Sequence, residues 1–447
     1  MNERSARGVA IRTIERVLGD DAYASVVLDH ELYRAQLPVR DRALASAIVY
    51  GSLRAFIFLD ESIRKELRRP DAPLDTYLRA ALMTAAYQLR FFDRVPAYAI
   101  VDETVGLVRK KRGGKLTGFA NAILRRLSRR FEMEPRPDSD FFLPAWLARA
   151  LGERFGEAYR HDVSSSIPAT SLRARIDRDE LLARIQEARP KADLALGQLS
   201  DAAILGRNLG DPRRLPGFDA GDFVVQEEGS QFIAQAVGAR PGESVFDACA
   251  GRGGKTAVLR EAMGGESRLV AADLHEPRLD ALRENFERLH LAEPEVHTLD
   301  LTVGTGGLPL ESFDRVLVDA PCSGLGTIRR RPELLLRFDE RSLQSLQKTQ
   351  REVVRNAARL VRRGGLLVYA VCSPLREEGA EILHEIADFG LSAENRTIDY
   401  KRLQFIFQEG NCHHIGPFSP GAFCNPDGYQ LFFLRKAGSS GSGFQLA

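Results

Sequence analysis

Cysteine is scarce in this chain, and so is every feature of a secreted or membrane protein. Five cysteines in 447 residues (Cys249, Cys322, Cys372, Cys412 and Cys424) are few and odd in number, so reduced thiols are expected rather than a disulfide framework. No apolar run approaches the length of a membrane span, and the charged start MNERSARGVA lacks an apolar signal core. A cytoplasmic location with no membrane partner is the expectation. Cys412, His413, His414 and Cys424 lack a C-x-x-C knuckle, and adjacent histidines rarely reach one tetrahedral ion, so no metal is expected.

Charge of one sign is also nearly absent overall, at a net +2, but the balance is uneven. Residues 1–130 hold 24 Lys and Arg against 15 Asp and Glu, a balance of +9, which leaves −7 for the rest. A basic block joined to a mildly acidic one suits a protein in which one module holds nucleic acid and another does chemistry, although surface arginines kept for solubility give the same count.

The basic block reads as all helical. Leu44, Ile48, Ser52, Ala55 and Leu59 recur at helical spacing, Tyr77 to Leu89 forms a second run, and Ile100 to Val108 a third after Pro96. RKKRGGK (109–115) reads as a glycine-containing loop whose Lys110, Lys111, Arg112 and Lys115 suit a phosphate backbone; as helix-end charges they would equally complement a dipole. DRALASAIVYGSLR (41–54), VPAYAIVDETVGLVRK (95–110) and TGFANAILRRLSR (117–129) together resemble the NusB-like RNA-binding helical domain.

A connector is expected over 131–166, with a Pro-rich break at EPRPDSD and a short helix (144–156) that packs Trp146, the only tryptophan. A small α+β domain follows over 167–235: a strand in PATSLRARID, a helix in DELLARIQEAR, and a strand running into a helix in GDFVVQEEGSQFIAQAVG. Gln226, Glu227, Glu228 and Gln231 there either line a substrate cleft or form a solvated helix start.

From 236 to 436 the pattern alternates strand and helix, with strands at 244–249, 268–273, 313–319 and 365–371, as in an open, Rossmann-like parallel sheet covered on both faces. The tail, from about 437, is low in complexity and expected to be flexible. SVFDACAGRGGKT (244–256) reads as strand, glycine turn and helix, which brings backbone N–H groups and a helix N-terminus against a ligand. Its order G-R-G-G-K-T fits neither a dinucleotide fingerprint nor a P-loop. With Asp273 ending the next strand, 26 residues beyond Asp247, a nucleoside without a pyrophosphate, such as S-adenosylmethionine, is indicated. Cys322 follows one further strand and Cys372 ends another, which places both thiols at the ligand edge of the sheet; a single buried cysteine would be read as packing.

DACAGRGGKT, DAPCSGLGTIRRRPE and the Val-Cys-Ser of YAVCSP are similar to the main motifs of the RsmB/Sun (Fmu) family of S-adenosylmethionine-dependent RNA cytosine-C5 methyltransferases. With the NusB-like block in front, the resemblance spans about residues 5 to 436, and the domain order points to the branch that acts on 16S ribosomal RNA. The resemblance implies a cofactor loop of Cys249, Ala250, Gly251, Arg252, Gly253, Gly254 and Lys255, a ribose acid at Asp273 and an adenine-side acid at Asp300. It also implies that Asp319 lies between cofactor and cytosine, that Cys372 is the nucleophile and that Cys322 helps to release product. Arg252 replaces the usual proline, Ala370-Val371 the usual Ser-Thr, and Pro374 an aliphatic residue. Arg329 and Arg330 are expected at the RNA backbone near the target base, or else in an exposed basic turn. A monomer bound to RNA is the expected working form. Two alternatives remain: the same chemistry on transfer RNA or 23S ribosomal RNA, and an RNA-binding factor with an inactive second half.

Overall fold

The structure, a computed structural model, describes residues 4–137, 139, 142–165, 167–396, 405–418 and 426–438. Cys424 and the tail beyond 438 lie outside the described residues. The chain divides into two compact units, Met1–Ser166 with Ile328–Arg337, and Ile167–Thr327 with Phe338–Ala447.

The first unit is helical: α1 (Ala6–Gly19), α2 (Ala24–Ala35), α3 (Val39–Arg54), α4 (Phe56–Lys65), α5 (Thr76–Phe91), α6 (Ala97–Arg112), α7 (Gly114–Met133), α8 (Ala145–Phe155) and α9 (Glu157–Ser165). Helix α5, whose N-terminus is capped by Asp75 accepting from the Leu78 N–H, is buried along most of its length. Gly51 of α3 lets it close on this helix, because a Cβ there would sit 1.9 Å from the Tyr87 ring. The apolar run from Leu44 to Leu59 is two helices rather than one, with a 76° bend between α3 and α4. The bend sends Ile48 and Leu53 into one core cluster, and Leu59 and Ile63 into another. Among the described residues no single helix is long and apolar enough to cross a membrane.

Two expectations about basic residues are corrected here. RKKR is the last turn of α6, stopped by Gly113 at φ +76°, so it is not a loop. Arg112 serves the fold, meeting Asp75 at 3.0 Å and Glu15 at 3.3 Å and stacking on Tyr77, while Lys110, Lys111 and Lys115 are exposed. Arg329 is no exposed RNA contact either: its side chain is buried and meets Asp162 at 3.3 Å. Glu333, in that same segment, is also buried and accepts from the Ala24 N–H, so 328–337 is an integral part of the helical unit. Arg330 is half-buried on it. Removing one member of a buried pair strands the other charge at a cost of about 3–5 kcal/mol. Arg329→Ala is therefore expected to lower the unfolding free energy from denaturant titration by that amount; an unchanged unfolding free energy with weakened RNA binding would return Arg329 to the RNA surface. Trp146 is likewise exposed, and Leu147 and Leu151 anchor α8 instead.

The second unit holds two sheets. The smaller is antiparallel in the order β2-β3-β1-β4, formed by β1 (Thr170–Ala174), β2 (Asp193–Leu196), β3 (Ala203–Arg207) and β4 (Phe223–Val225), and is accompanied by α10 (Arg178–Ala188) and α11 (Glu228–Val237). In the larger, β5 (Val245–Asp247), β6 (Leu269–Asp273), β7 (Glu295–Thr298), β8 (Phe313–Asp319) and β9 (Val361–Val371) run parallel in the order β7-β6-β5-β8-β9. Helices α12 (Gly254–Met263), α13 (Glu276–Arg288) and α14 (Glu340–Leu360) connect them.

The sheet is mixed, not wholly parallel as the alternation suggested. β10 (Leu391–Ala393), β11 (Ile406–Glu409), β12 (Cys412–Ile415) and β13 (Tyr429–Lys436) extend it past β9 with antiparallel pairs. Antiparallel neighbours need no helical crossover, so the strand–helix rhythm that marks the first five strands is missing there. Because β5 has β6 on one side and β8 on the other, the chain reverses its direction of winding at β5/β8. Ligands settle at such a reversal, beyond the carboxyl ends of the strands.

Candidate active site

Each strand end at this reversal carries a functional side chain. After β5 the glycine loop turns with Gly251 at φ +56° and Gly253 at φ +80°. Both values favour glycine, and a Cβ at Gly253 would also strike Leu282 of α13 at 2.7 Å. Asp273, buried at the end of β6, holds the loop in place: one carboxylate oxygen accepts from the Gly251 N–H at 3.0 Å and the other from the His275 N–H at 2.9 Å. Asp300, beyond β7, closes its own turn by accepting from the Thr302 N–H and hydroxyl. Asp247 accepts from the Thr256 hydroxyl at 2.7 Å and has its other oxygen buried without a partner. Burial is the main reason that its carboxyl is pushed up to about 7.

The centre of the site is an ion pair beside two thiols. Lys255 Nζ lies 2.6 Å from Asp319 Oδ2. Burial by itself would lower the Lys255 pKa, but the Asp319 carboxylate outweighs it, with smaller help from Asp247 and Cys372, so the ammonium is held above its usual range. Cys322 Sγ and Cys372 Sγ are 3.1 Å apart. The hydrogen bond with Cys372, then burial, push the Cys322 thiol well up, so Cys322 keeps its proton.

This pairing rests on residues that the motifs did not reveal. The Gly326 N–H donates to the Cys372 carbonyl at 3.0 Å, and the Gly428 N–H donates to the Gly326 carbonyl at 2.8 Å. A Cβ on Gly326 would lie 1.8 Å from the Gly428 oxygen, so the two glycines must stay bare. Glu378, fully buried, accepts from the Ser323 N–H at 2.7 Å and from Gln350 at 3.1 Å, which fixes the loop bearing Cys322. Gln430 of β13 donates to the carbonyls of Ser373 and Leu375 and fixes the turn after Cys372. No spacing in the sequence signals these contacts, because they form only once β13 folds back beside β9.

In the polar cluster at 226–231, Glu227, Glu228 and Gln231 serve the fold rather than a cleft or a solvated helix start. Glu227 caps α11 and accepts from the Tyr429 hydroxyl at 2.8 Å; Glu228 is buried and accepts from the Leu199 and Ser200 N–H groups. Burial raises the Glu228 carboxyl to about 7. Cys412 and His413–His414 sit buried on β12, where His414 meets Glu409 at 3.2 Å. Among the described residues, no cluster of His, Cys, Asp and Glu is arranged to hold a metal. The structure thus brings Cys249 to Lys255, Asp273, Asp300, Asp319, Cys322 and Cys372 to one sheet edge. It places Lys110, Lys111, Arg112, Lys115, Arg329 and Arg330 in the helical unit. The glycine loop with its helix start, the acids Asp273 and Asp300, and a partnerless buried carboxylate oxygen form a set of donors and acceptors that fits a small ligand with hydroxyls and an amino-acid end.

Known proteins agree with this architecture. A family model described as 16S rRNA methyltransferase RsmB/F matches residues 234–411, and the NusB family model matches residues 4–129. Ribosomal RNA small subunit methyltransferase B of Pseudomonas putida is 33% identical over 86% of this chain and 88% of its own. The protein of the same description from Pseudomonas syringae pv. tomato is 33% identical over 99% and 95%. In fold, the crystal structure of PH0851 superposes with a TM-score of 0.82 over 96% of this chain and 99% of that one at 22% identity. NSun6 from Pyrococcus horikoshii, solved with SFG, gives 0.55 over 66% and 98% at 17%. The chain belongs to the ribosomal RNA small subunit methyltransferase B family, with a NusB-type helical region ahead of a Rossmann-like methyltransferase unit.

Proposed function

We propose that this protein transfers a methyl group from S-adenosylmethionine to C5 of a cytosine in 16S ribosomal RNA, through a covalent adduct between Cys372 and C6. The observation that carries this reading is the pair of sulfurs 3.1 Å apart at a sheet edge that also holds the Lys255–Asp319 ion pair. Cytosine C5 is a weak carbon nucleophile. Addition of the Cys372 thiolate to C6 moves the C5–C6 π electrons onto C5 and makes it an enamine. Bound against Cys249–Lys255, Asp273 and Asp300, S-adenosylmethionine supplies the electrophilic methyl. As negative charge develops on the ring near N3, the Lys255–Asp319 pair meets it with the proton the two groups share.

Product release then needs loss of the C5 proton and cleavage of the C6–S bond. In the resting pair the Cys322 thiol is held protonated chiefly by Cys372. Once Cys372 is a thioether that influence is gone, so Cys322 can lose its proton to solvent; as a thiolate it takes the C5 proton, the C5–H pair re-forms the C5–C6 double bond, and the C6–S pair leaves with Cys372 as a thiolate. The helical unit supplies RNA affinity through Lys110, Lys111 and Lys115, whose side chains are exposed. Replacing all three with alanine is expected to flatten the plot of log affinity against log salt by roughly 2–3, since each phosphate contact contributes about 0.7–0.9 to the slope. An unchanged slope on filter binding would place the RNA elsewhere.

Methyl-labelled S-adenosylmethionine offered to fractionated cellular RNA tests the reading as a whole. Label is expected as 5-methylcytosine in 16S RNA from cells lacking this activity. Label confined to transfer RNA or 23S RNA would move the substrate, and label on another base would overturn the chemistry.

A further inference from the structure

One buried group beside the glycine loop has no role in the steps above. Gln226, which follows β4, is 7% exposed and held on three sides. Its N–H donates to the Ser171 carbonyl at 3.1 Å, its carbonyl accepts from Gln231 Nε2 at 2.9 Å, and its side-chain Oε1 accepts from Arg173 Nε at 3.1 Å. Arg173 is itself ion-paired with Glu261. The Arg173 donor fixes which end of the amide is oxygen, so the other end is an NH2. That Nε2 is buried and has no hydrogen-bond partner.

The amide nitrogen is turned toward the first residue of α12: a Cβ built on Gly254 would lie 3.8 Å from Nε2 and 4.0 Å from Cδ. The N-terminus of α12 has no side-chain cap of its own. An uncapped helix start and a buried amide donor therefore converge on one point of the loop, and both seek an acceptor, the helix start preferably an anion.

We infer that Gln226 is a positioning residue for the methyl donor, its Nε2 donating to the carboxylate of the amino-acid end, which is the one full anion that S-adenosylmethionine carries. This rests on the cofactor reading above. It gives the small antiparallel sheet a part in the methyltransferase site, since β1 and β4, through Arg173 and Gln226, aim the donor.

Two ligands that share the nucleoside and thioether and differ in the amino-acid end separate the possibilities by calorimetry: S-adenosylhomocysteine and 5′-methylthioadenosine. Gln226→Leu is expected to weaken S-adenosylhomocysteine by about tenfold to a hundredfold, the range for a hydrogen bond to a charged group, and to leave 5′-methylthioadenosine unchanged. Gln226→Glu keeps an acceptor for Arg173 but sets a carboxylate against the ligand's own, so it should weaken S-adenosylhomocysteine at least as far. Equal weakening of both ligands, or of neither, would overturn the inference. Failure of the unaltered protein to bind S-adenosylhomocysteine would strike the cofactor reading itself.

Discussion

Cys322→Ala, incubated with RNA and S-adenosylmethionine, is expected to accumulate a methylated protein–RNA adduct that survives denaturing electrophoresis, whereas Cys372→Ala yields neither adduct nor product. The difference follows from the geometry and the proton inventory of the pair. With the sulfurs 3.1 Å apart, proximity does not choose between them, but Cys322 is the one held protonated, by Cys372 and by burial. Removing Cys372 removes attack. Removing Cys322 leaves attack and transfer intact and withdraws the base needed for elimination, so the C6–S thioether persists. If the two sulfurs were only packing, both variants would behave alike, with a modest loss of stability and no trapped species. An adduct in Cys372→Ala and none in Cys322→Ala would exchange the roles.

The second large effect is expected at Asp319. Asp319→Asn keeps the shape but leaves the Lys255 ammonium, 13% exposed, without its counter-charge. Breaking such a pair from one side costs about 3 kcal/mol or more in stability. In the proposed reaction it also breaks up the pair that meets the charge on the ring, and a lost preorganised electrostatic contact lowers turnover about 10²–10³-fold. The double variant Lys255→Met with Asp319→Asn separates the two effects, because it no longer buries an unpaired charge. Its melting temperature should recover while single-turnover methyl transfer stays slow. Recovery of both would make the pair purely structural, and recovery of neither would leave the stability argument without support.

Much of the site was legible because its chemistry sits in short contiguous motifs at strand ends. The glycines at 251 and 253, the acid at 273 and the cysteines at 322 and 372 each follow an apolar run that is short enough to be a buried strand, and such runs are read locally. What was not legible depends on contacts distant in sequence. Arg329 looks like part of a basic turn, and only the fold shows that Asp162, 167 residues away, buries it. Glu378 and Gln430 read as ordinary polar residues, yet they set the loop before one thiol and the turn after the other. The antiparallel strands after β9 carry no helical spacer, so the rhythm that revealed the parallel part gave no sign of them. The bend at Ala55 escaped for a similar reason, since the helical period continues across it while the two halves face different clusters.

RNA carrying 5-fluorocytosine at the target position puts the central claim to its most direct test, with the unaltered protein. Fluorine cannot leave C5 as a proton does, so an enzyme that attacks C6 and transfers a methyl is caught with the base attached. Digestion and mass spectrometry of the complex should then find a methylated fluorocytosine joined through sulfur to the peptide that contains Cys372. A complex joined through Cys322, or complete turnover with no covalent species, would contradict the account.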